Sequence, residues 1–578
     1  MKSRTFYSAI ALVAGFLLLV GVGGFWGLTA QNPRILLTQG GQEQPLAAQF
    51  VPRQSPLMIS LLARPDRLWQ LRQLLTPANQ RFEARQEWQF LQRSLEDLVG
   101  WNYEADVRPW LDEEATFAVT GADLDHDASN GLQPGYLVIL SCRDVVAARE
   151  ALHRLWQQRA AQRSLVFETV SSIPLISDRP SLMGSLASFS PPSSDLALDT
   201  LATAMVGDRY VLLANDGQVL RQAIAAYRAP DVNWAQAAPY HEAIATLPAN
   251  RVGWMVANIP SLLNWLGIED TSVLQPIKPD GRQASLLFIS FQALADGLLG
   301  NTAIATAAPS ATASMLPPPT TSSSSIAPLT LLPDSTLFAT AGADLSQQLQ
   351  SLSHNIGGYQ ITQQAIAALL QAWSLDAPTA PAELATALQG EYALGRLPGS
   401  PSDWALIAQS ATADFATVDA FAAAQGLTVN QITNGDQPIT AWTRLSLSRV
   451  SSNAPLQLTT QVVAVHTPVQ NYEVVSTSLA GLQQILQQSN QGSLENETTF
   501  AHLVEQLASP GQELAYLDWP ALLPTLTQQL PWLRVIAGAA QPLSRHLGPI
   551  LISSQPSSSS LTMGAIAIQL RENPAKMS

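Results

Sequence analysis

Asn258-Ile259-Pro260-Ser261-Leu262-Leu263 has a close counterpart in the second half of the chain, Asp518-Trp519-Pro520-Ala521-Leu522-Leu523. Other matched segments follow in the same order, at spacings that stay near 260–281 residues. Ordered matches at a nearly constant spacing indicate an internal duplication with fusion.

The matched segments predict the domain organisation. Copy 1 spans residues 45–305, a Pro/Ser/Thr-rich linker spans 306–327, and copy 2 spans 328–572. The linker composition cannot bury a core. In copy 1, apolar runs at 115–122 and 135–142 are joined by a short polar loop, which favours antiparallel hairpins. The sequence therefore predicts an α+β fold of two duplicated domains, each a mainly antiparallel sheet with helices on one face.

The N-terminus predicts a membrane attachment. Lys2 and Arg4 precede residues 6–28, an uncharged and largely apolar run of 23 residues. At 1.5 Å per residue this run can cross a hydrocarbon core of about 30 Å as a helix. Leu28-Thr29-Ala30 lacks the small-residue pattern of a cleavage site, so we interpret residues 1–30 as a cytoplasmic tip and transmembrane signal-anchor. The positive-inside rule then sends the bulk of the chain into the periplasm or a thylakoid lumen.

The composition excludes several classes of function. The 578 residues carry 13% charged residues and a net charge of −14, with three lysines in all. This balance leaves no basic surface for nucleic acid. A single cysteine excludes an internal disulfide and a cysteine-based structural zinc site.

The motifs that carry chemistry are sparse. The seven histidines contain no H-E-x-x-H pair, and no phosphate-binding loop or nucleophile elbow is present. The sequence therefore predicts no catalytic residue and no cofactor. Asp123, Asp125 and Asp127 alternate in a loop and are the one metal candidate, for calcium. The alternative is a solvated loop in which aspartates serve turn chemistry.

Tryptophan and arginine concentrate in the N-terminal part of copy 1. Both residue types are enriched at protein interfaces. The stretch is interpreted as a helix pair that covers the sheet, and the alternative is a partner-binding surface formed by Trp69, Trp88, Trp101 and Trp110.

Asp106-Val107-Arg108-Pro109-Trp110-Leu111-Asp112-Glu113-Glu114-Ala115, together with the apolar N-terminal run and Val51-Pro52, resembles an uncharacterised cyanobacterial family of membrane-anchored proteins. That family is known as a domain of unknown function. The resemblance covers most of residues 45–570 and implies a protein exposed to the periplasm or thylakoid lumen. It implies no catalytic residue, cofactor or substrate.

These observations favour a single-pass, membrane-anchored, extracytoplasmic binding or scaffold protein with a protein partner at the membrane surface. One alternative is a carrier of a hydrophobic ligand, either lipid or pigment. The other is an envelope hydrolase that uses dispersed catalytic residues.

Overall fold

The computed structural model describes most of the chain from Ile35 to Leu570. The described residues are 35–75, 89, 93, 99–125, 127, 133–161, 163–179, 200–266, 286–305, 327–354, 360–373, 380–399, 403–434, 437–448, 457–487, 492–507, 513–529, 546–554 and 561–570. The apolar run at 6–28 and residues 306–326 of the predicted linker lie outside them. No helix among the described residues is long and apolar enough to span a membrane.

The described residues of the first half of the chain form ten strands. Many of their apolar residues are β-branched, leucine or aromatic, as is typical of strands that pack on a core. The strands are β1 (Leu57–Leu61), β2 (Leu111–Gly121), β3 (Gly135–Cys142), β4 (Ser164–Val170), β5 (Ile173–Arg179), β6 (Ala202–Val206), β7 (Tyr210–Ala214), β8 (Gly253–Asn258), β9 (Leu286–Ala293) and β10 (Gly297–Ala305).

The described residues of the second half form ten further strands. They are β11 (Phe338–Gly342), β12 (Tyr392–Arg396), β13 (Trp404–Gln409), β14 (Thr428–Asn434), β15 (Gln437–Ser448), β16 (Gln457–Val469), β17 (Tyr472–Ser476), β18 (Glu513–Leu517), β19 (Leu547–Ser554) and β20 (Leu561–Leu570).

The helices connect these strands, and several begin at a side-chain cap such as Asp144, Asp216, Asn258 or Asp414. In the first half they are α1 (Ile35–Thr38), α2 (Pro65–Leu75), α3 (Val145–Ala160), α4 (Gly217–Arg228), α5 (Ala238–Thr246) and α6 (Ile259–Trp265). In the second half they are α7 (Leu345–His354), α8 (Gln360–Ala372), α9 (Ala380–Ala387), α10 (Phe415–Ala424), α11 (Leu479–Gln487), α12 (Thr498–Gln506) and α13 (Trp519–Gln529). Short 3₁₀ turns lie at Leu46–Phe50, Pro230–Val232, Trp234–Gln236, Ala327–Leu331 and Leu494–Asn496, and a π-helical turn at Tyr103–Val107.

All strands belong to a single antiparallel sheet of 20 strands. In the first half the order is β4-β5-β6-β7-β3-β2-β1-β8-β9-β10. In the second half it is β14-β15-β16-β17-β13-β12-β11-β18-β19-β20, the same order with each strand number raised by ten. The two sets meet where β10 pairs with β20 from Gly297↔Gln569 to Ala305↔Leu561.

The prediction that each copy forms a sheet of its own is therefore wrong. Each half ends in a hairpin, β9–β10 or β19–β20, whose last strand would otherwise leave a row of backbone N–H and C=O groups unpaired. Pairing β10 with β20 satisfies both rows. The matched sequence segments carry no information on which strand edges join, because edge pairing is a contact between distant parts of the chain.

Helices cover both faces of the sheet, which corrects the expectation that they lie on one face. In β1, Leu57 and Ile59 belong to the core under α2 and α3, whereas Met58 belongs to the core under α4 and α5. The second half repeats this arrangement, with α7 to α10 on one face and α11 and α12 on the other. Strands buried on both faces are apolar at successive positions and lose the alternation that one-sided sheets have.

Candidate interaction surface

Two of the four tryptophans named for the alternative partner surface lie in the core. Trp101 and Trp110 are 2% and 1% exposed, and their rings meet edge to face with centroids 5.8 Å apart. The indole Nε1 of Trp110 donates to the carbonyl oxygen of Asp106. Trp69 is half-buried against the same core, and Trp88 lies outside the described residues. Trp101 and Trp110 are thus unavailable to a partner, because their rings are buried in the core.

The charged residues around Trp110 hold this segment against its neighbours. The hydroxyl of Tyr103 donates to Asp66 at 2.6 Å, and Arg108 lies 3.6 Å from the same carboxylate. Asp106 forms an ion pair with Arg154 of α3 at 2.8 Å. Burial raises the pKa of Tyr103, and the neighbouring Asp66 carboxylate adds to this effect. The motif that carries the family resemblance therefore packs the π-helical turn between α2 and α3.

Glu114 is a buried carboxylate at the start of the β1–β2 pairing. It accepts hydrogen bonds from the backbone N–H groups of Ala47 at 2.9 Å and Leu46 at 3.1 Å, and from the Thr116 hydroxyl at 3.2 Å. Burial raises its pKa to about 7, although these hydrogen bonds oppose the shift. Glu114 thereby ties the segment that precedes β1 to the sheet.

The three aspartates proposed for calcium close their own loop. Asp123 accepts from the backbone N–H of Gln133 at 3.1 Å, and Asp125 accepts from the Gln133 side chain at 2.8 Å. The backbone N–H of Asp127 donates to Asp125 at 3.1 Å. No set of three His, Cys, Asp or Glu side chains among the described residues could hold a metal ion. This geometry matches the alternative interpretation of the loop, in which the aspartates serve turn chemistry.

His466 is the centre of a buried charge cluster in the second half. Its Nδ1 lies 2.6 Å from Glu473 and its Nε2 lies 3.1 Å from Asp419, which also accepts the indole N–H of Trp442 at 2.6 Å. Desolvation opposes protonation, but the two carboxylates outweigh it and raise the pKa of His466 to about 9. With both ring nitrogens engaged by carboxylates, His466 is a histidinium that ties β16 to β17 and α10, and has no free nitrogen for base catalysis.

The outer edge of the sheet in the first half exposes an aromatic side chain. β4 pairs with β5 and, in the described part of the chain, with no second strand. Phe167 in β4 is 71% exposed, the largest exposed fraction among the described large apolar side chains. Glu168 in the same strand forms an ion pair with Arg221 of α4 at 2.8 Å. We call Leu165–Val170 the open edge.

Sequence reasoning missed the open edge. Leu165–Val170 has a strand composition, and its lack of lysine and proline is visible in the sequence. What was not visible is that this strand stands last in the sheet, since that depends on the pairing order of the other strands. The sequence thus shows a strand without lysine or proline, but it does not show that this strand lies at a sheet edge, where such residues protect against unwanted pairing.

The fold and this surface define a class of protein: a twofold-repeated, three-layer α/β/α platform built on one antiparallel sheet with exposed outer edges. The chain belongs to DUF3352, a family described as a protein of unknown function, whose profile matches residues 10–570. No curated protein and no solved structure matches the chain.

Proposed function

We propose that this protein is a non-catalytic binding or scaffold protein, attached to a membrane, that holds a protein partner at the open edge. The observation that carries the proposal is the position of β4, which pairs on one side and exposes Phe167. The edge strand of a sheet is a template for a further strand. An exposed aromatic beside it is the kind of side chain that dominates binding energies.

The composition of the open edge supports recognition rather than protection. Natural proteins blunt exposed edges with lysine, proline or a bulge. Leu165–Val170 contains neither lysine nor proline, and its pairing with β5 runs without a register shift. A partner that adds a strand here would gain main-chain hydrogen bonds along the edge and a side-chain contact with Phe167.

The dimensions of the sheet support a scaffold. With strands about 4.8 Å apart, 20 strands extend over about 90 Å, measured along the sheet. Helices on both faces stiffen this platform, and its two ends carry β4 and β14. A continuous sheet of this length can hold partners at a fixed separation.

The proposed membrane attachment uses residues 6–28, and the expected location is the periplasm or a thylakoid lumen of a cyanobacterium. The support is the uncharged run with Lys2 and Arg4 before it. Leu36 in α1, the first described helix, is 1% exposed and packs into the core under α2 and α3. A chain leaving the bilayer would thus reach the body of the protein within a few residues of position 28.

The test is purification of the tagged full-length protein from native membranes in mild detergent, with mass spectrometry of proteins and extracted small molecules. We expect a protein partner whose recovery falls about tenfold or more in Phe167→Asp. The matched control is Val146→Asp, since Val146 is 66% exposed and lies on helix α3 and not on β4, and this variant keeps the partner.

Two outcomes contradict the proposal. A partner that persists with Phe167→Asp excludes the open edge as its docking site. A stoichiometric lipid or pigment without a protein partner favours the carrier alternative.

Deletion of residues 6–28 separately tests the attachment, and the deleted protein is expected in the soluble fraction after lysis.

A further inference from the structure

Strands β15 and β16 continue past their neighbours as a two-stranded ribbon. β14 pairs with β15 only as far as Thr443, and β17 pairs with β16 only from Val465 onward. Beyond these points, residues 444–448 and 457–461 pair with each other and with no other described strand. We call residues 443–448 and 457–462 the ribbon. A register shift between Trp442 and Thr443 lies at its root, and such bulges bend and twist a strand.

The ribbon has an apolar face and a polar face near its root. Val462 lies opposite Thr443, and Leu445 follows Thr443 by two residues, so Leu445 and Val462 share one face. Leu445 is 55% and Val462 is 42% exposed. The next pair, Arg444 with Gln461, is also exposed and belongs to the opposite face. Large apolar side chains this exposed, on a ribbon that pairs with no other described strand, indicate an interaction surface.

Residues 437–469, which include the ribbon strands, have a net charge opposite in sign to that of the whole protein. Residues 437–469 contain Arg444 and Arg449 and no aspartate or glutamate, in a chain of net charge −14. An anionic surface would repel the protein as a whole but attract this stretch. In the first half, the corresponding strands β5 and β6 pair only from Leu175 to Ser177.

We propose that the ribbon enters the headgroup layer of an anionic bilayer and gives the protein a second membrane contact. Leu445 and Val462 would reach the apolar boundary, while the long Arg444 side chain places its guanidinium beside lipid phosphates. The occupant is a lipid surface, because the exposed Leu445 and Val462 fit its apolar layer and Arg444, in a stretch without acidic residues, fits its anionic headgroups. The inference rests on the proposed membrane attachment, which keeps the ribbon near a bilayer.

The experiment uses the full-length chain reconstituted into phosphatidylcholine vesicles with or without 30% phosphatidylglycerol. Cys142, the single cysteine, is buried, so a thiol-reactive fluorophore can be placed selectively through Thr460→Cys, on an exposed residue opposite Leu445. Nitroxide-labelled lipid then quenches the fluorophore where it contacts the bilayer. The matched control position is Val146→Cys, exposed on α3.

We expect quenching of the label at position 460 in phosphatidylglycerol vesicles, little in neutral vesicles, and none at position 146. Arg444→Gln should weaken the docking equilibrium about fivefold, because one arginine near an anionic surface contributes an attraction of about that size. High salt should weaken it further.

Three results overturn the inference. The first is a ribbon label that stays unquenched on protein that floats with the vesicles. The second is quenching that is equal in neutral and anionic vesicles. The third is protection from soluble iodide in native membranes without lipid quenching, which assigns the ribbon to a protein partner. Failure of the protein to float at all contradicts the attachment through residues 6–28, so the two failures are distinguishable.

Discussion

The two halves of this molecule have the same strand order and very different charge. Residues 45–305 contain 20 lysines and arginines and 27 acidic residues, whereas residues 328–570 contain 5 and 15. The strand order depends on which side chains are apolar and where strands end, and the halves share that pattern. Solvated charges do not determine the strand order, so they are free to differ.

Even matched positions have acquired different roles. Glu114 and Glu391 each precede the first residue of the pairing with β1 or β11. Glu114 is buried and binds backbone N–H groups of residues 46 and 47. Glu391 instead accepts the Tyr472 hydroxyl at 3.0 Å, and burial together with this carboxylate raises the pKa of Tyr472 to about 12. A repeated fold thus keeps positions while their chemistry diverges.

The largest effect should come from the aromatic pairs that both halves bury. Trp101 with Trp110 and Trp373 with Trp442 each form an edge-to-face pair, with centroids 5.8 Å and 5.7 Å apart. We expect Trp110→Ala and Trp373→Ala each to lower the free energy of unfolding by about 3–5 kcal/mol. Urea unfolding should keep one transition, because β10 pairs with β20. Two transitions, of which a variant shifts only one, would show that the halves unfold independently.

His466 sharpens the comparison, because its buried charge cluster belongs to the second half. Its folded-state pKa of about 9 lies above the unfolded value of 6.5, so its contribution is full below pH 6.5 and is lost as pH rises through 9. We expect His466→Gln to lose about 2–3 kcal/mol at pH 6.5 and the least at pH 10. Denaturant unfolding across this range measures it, and a pH-independent loss contradicts the histidinium assignment.

The junction between the halves offers a test of their coupling. A Cβ on Gly297 in β10 would lie 2.2 Å from the carbonyl oxygen of Ile568 in β20, whereas one on Gly121 meets no atom within 4 Å. We expect Gly297→Ala to lower the free energy of unfolding by about 1–3 kcal/mol. Gly121→Ala is the matched control and should change it little. Equal effects of the two variants would mean that the β10–β20 pairing is dispensable.

The smallest effect should come from the charges that distinguish the halves. Arg149 and Asp208 form an ion pair at 2.5 Å, but their side chains are 60% and 66% exposed. We expect Arg149→Ala to change the free energy of unfolding by about 0.5 kcal/mol or less, because solvent screens exposed pairs. Thermal unfolding at low and high salt measures it. A loss above 1 kcal/mol would give surface charge a structural role in the first half.

The sequence predicted local features better than distant ones. The antiparallel pairing of β2 with β3 follows from two apolar runs and a short loop, and the structure contains it. For the tryptophan-rich stretch the sequence favoured a helix pair over the sheet but left an interface open, because such a stretch fits both a core and an interface. The pairing of His466 with Asp419 and Glu473 joins three elements whose sequence positions give no sign of contact.

The sequence by itself determined the repeat of matched segments, the apolar strands, the net charge of −14 and the uncharged run at 6–28. Only the tertiary structure decided that β10 joins β20, that helices cover both faces, and that β4 stands last with Phe167 exposed. The physical reason is the separation along the sequence of the residues that make each contact. Local patterns depend on residues a few positions apart, whereas edge pairing and burial depend on backbone groups and side chains that meet across hundreds of residues.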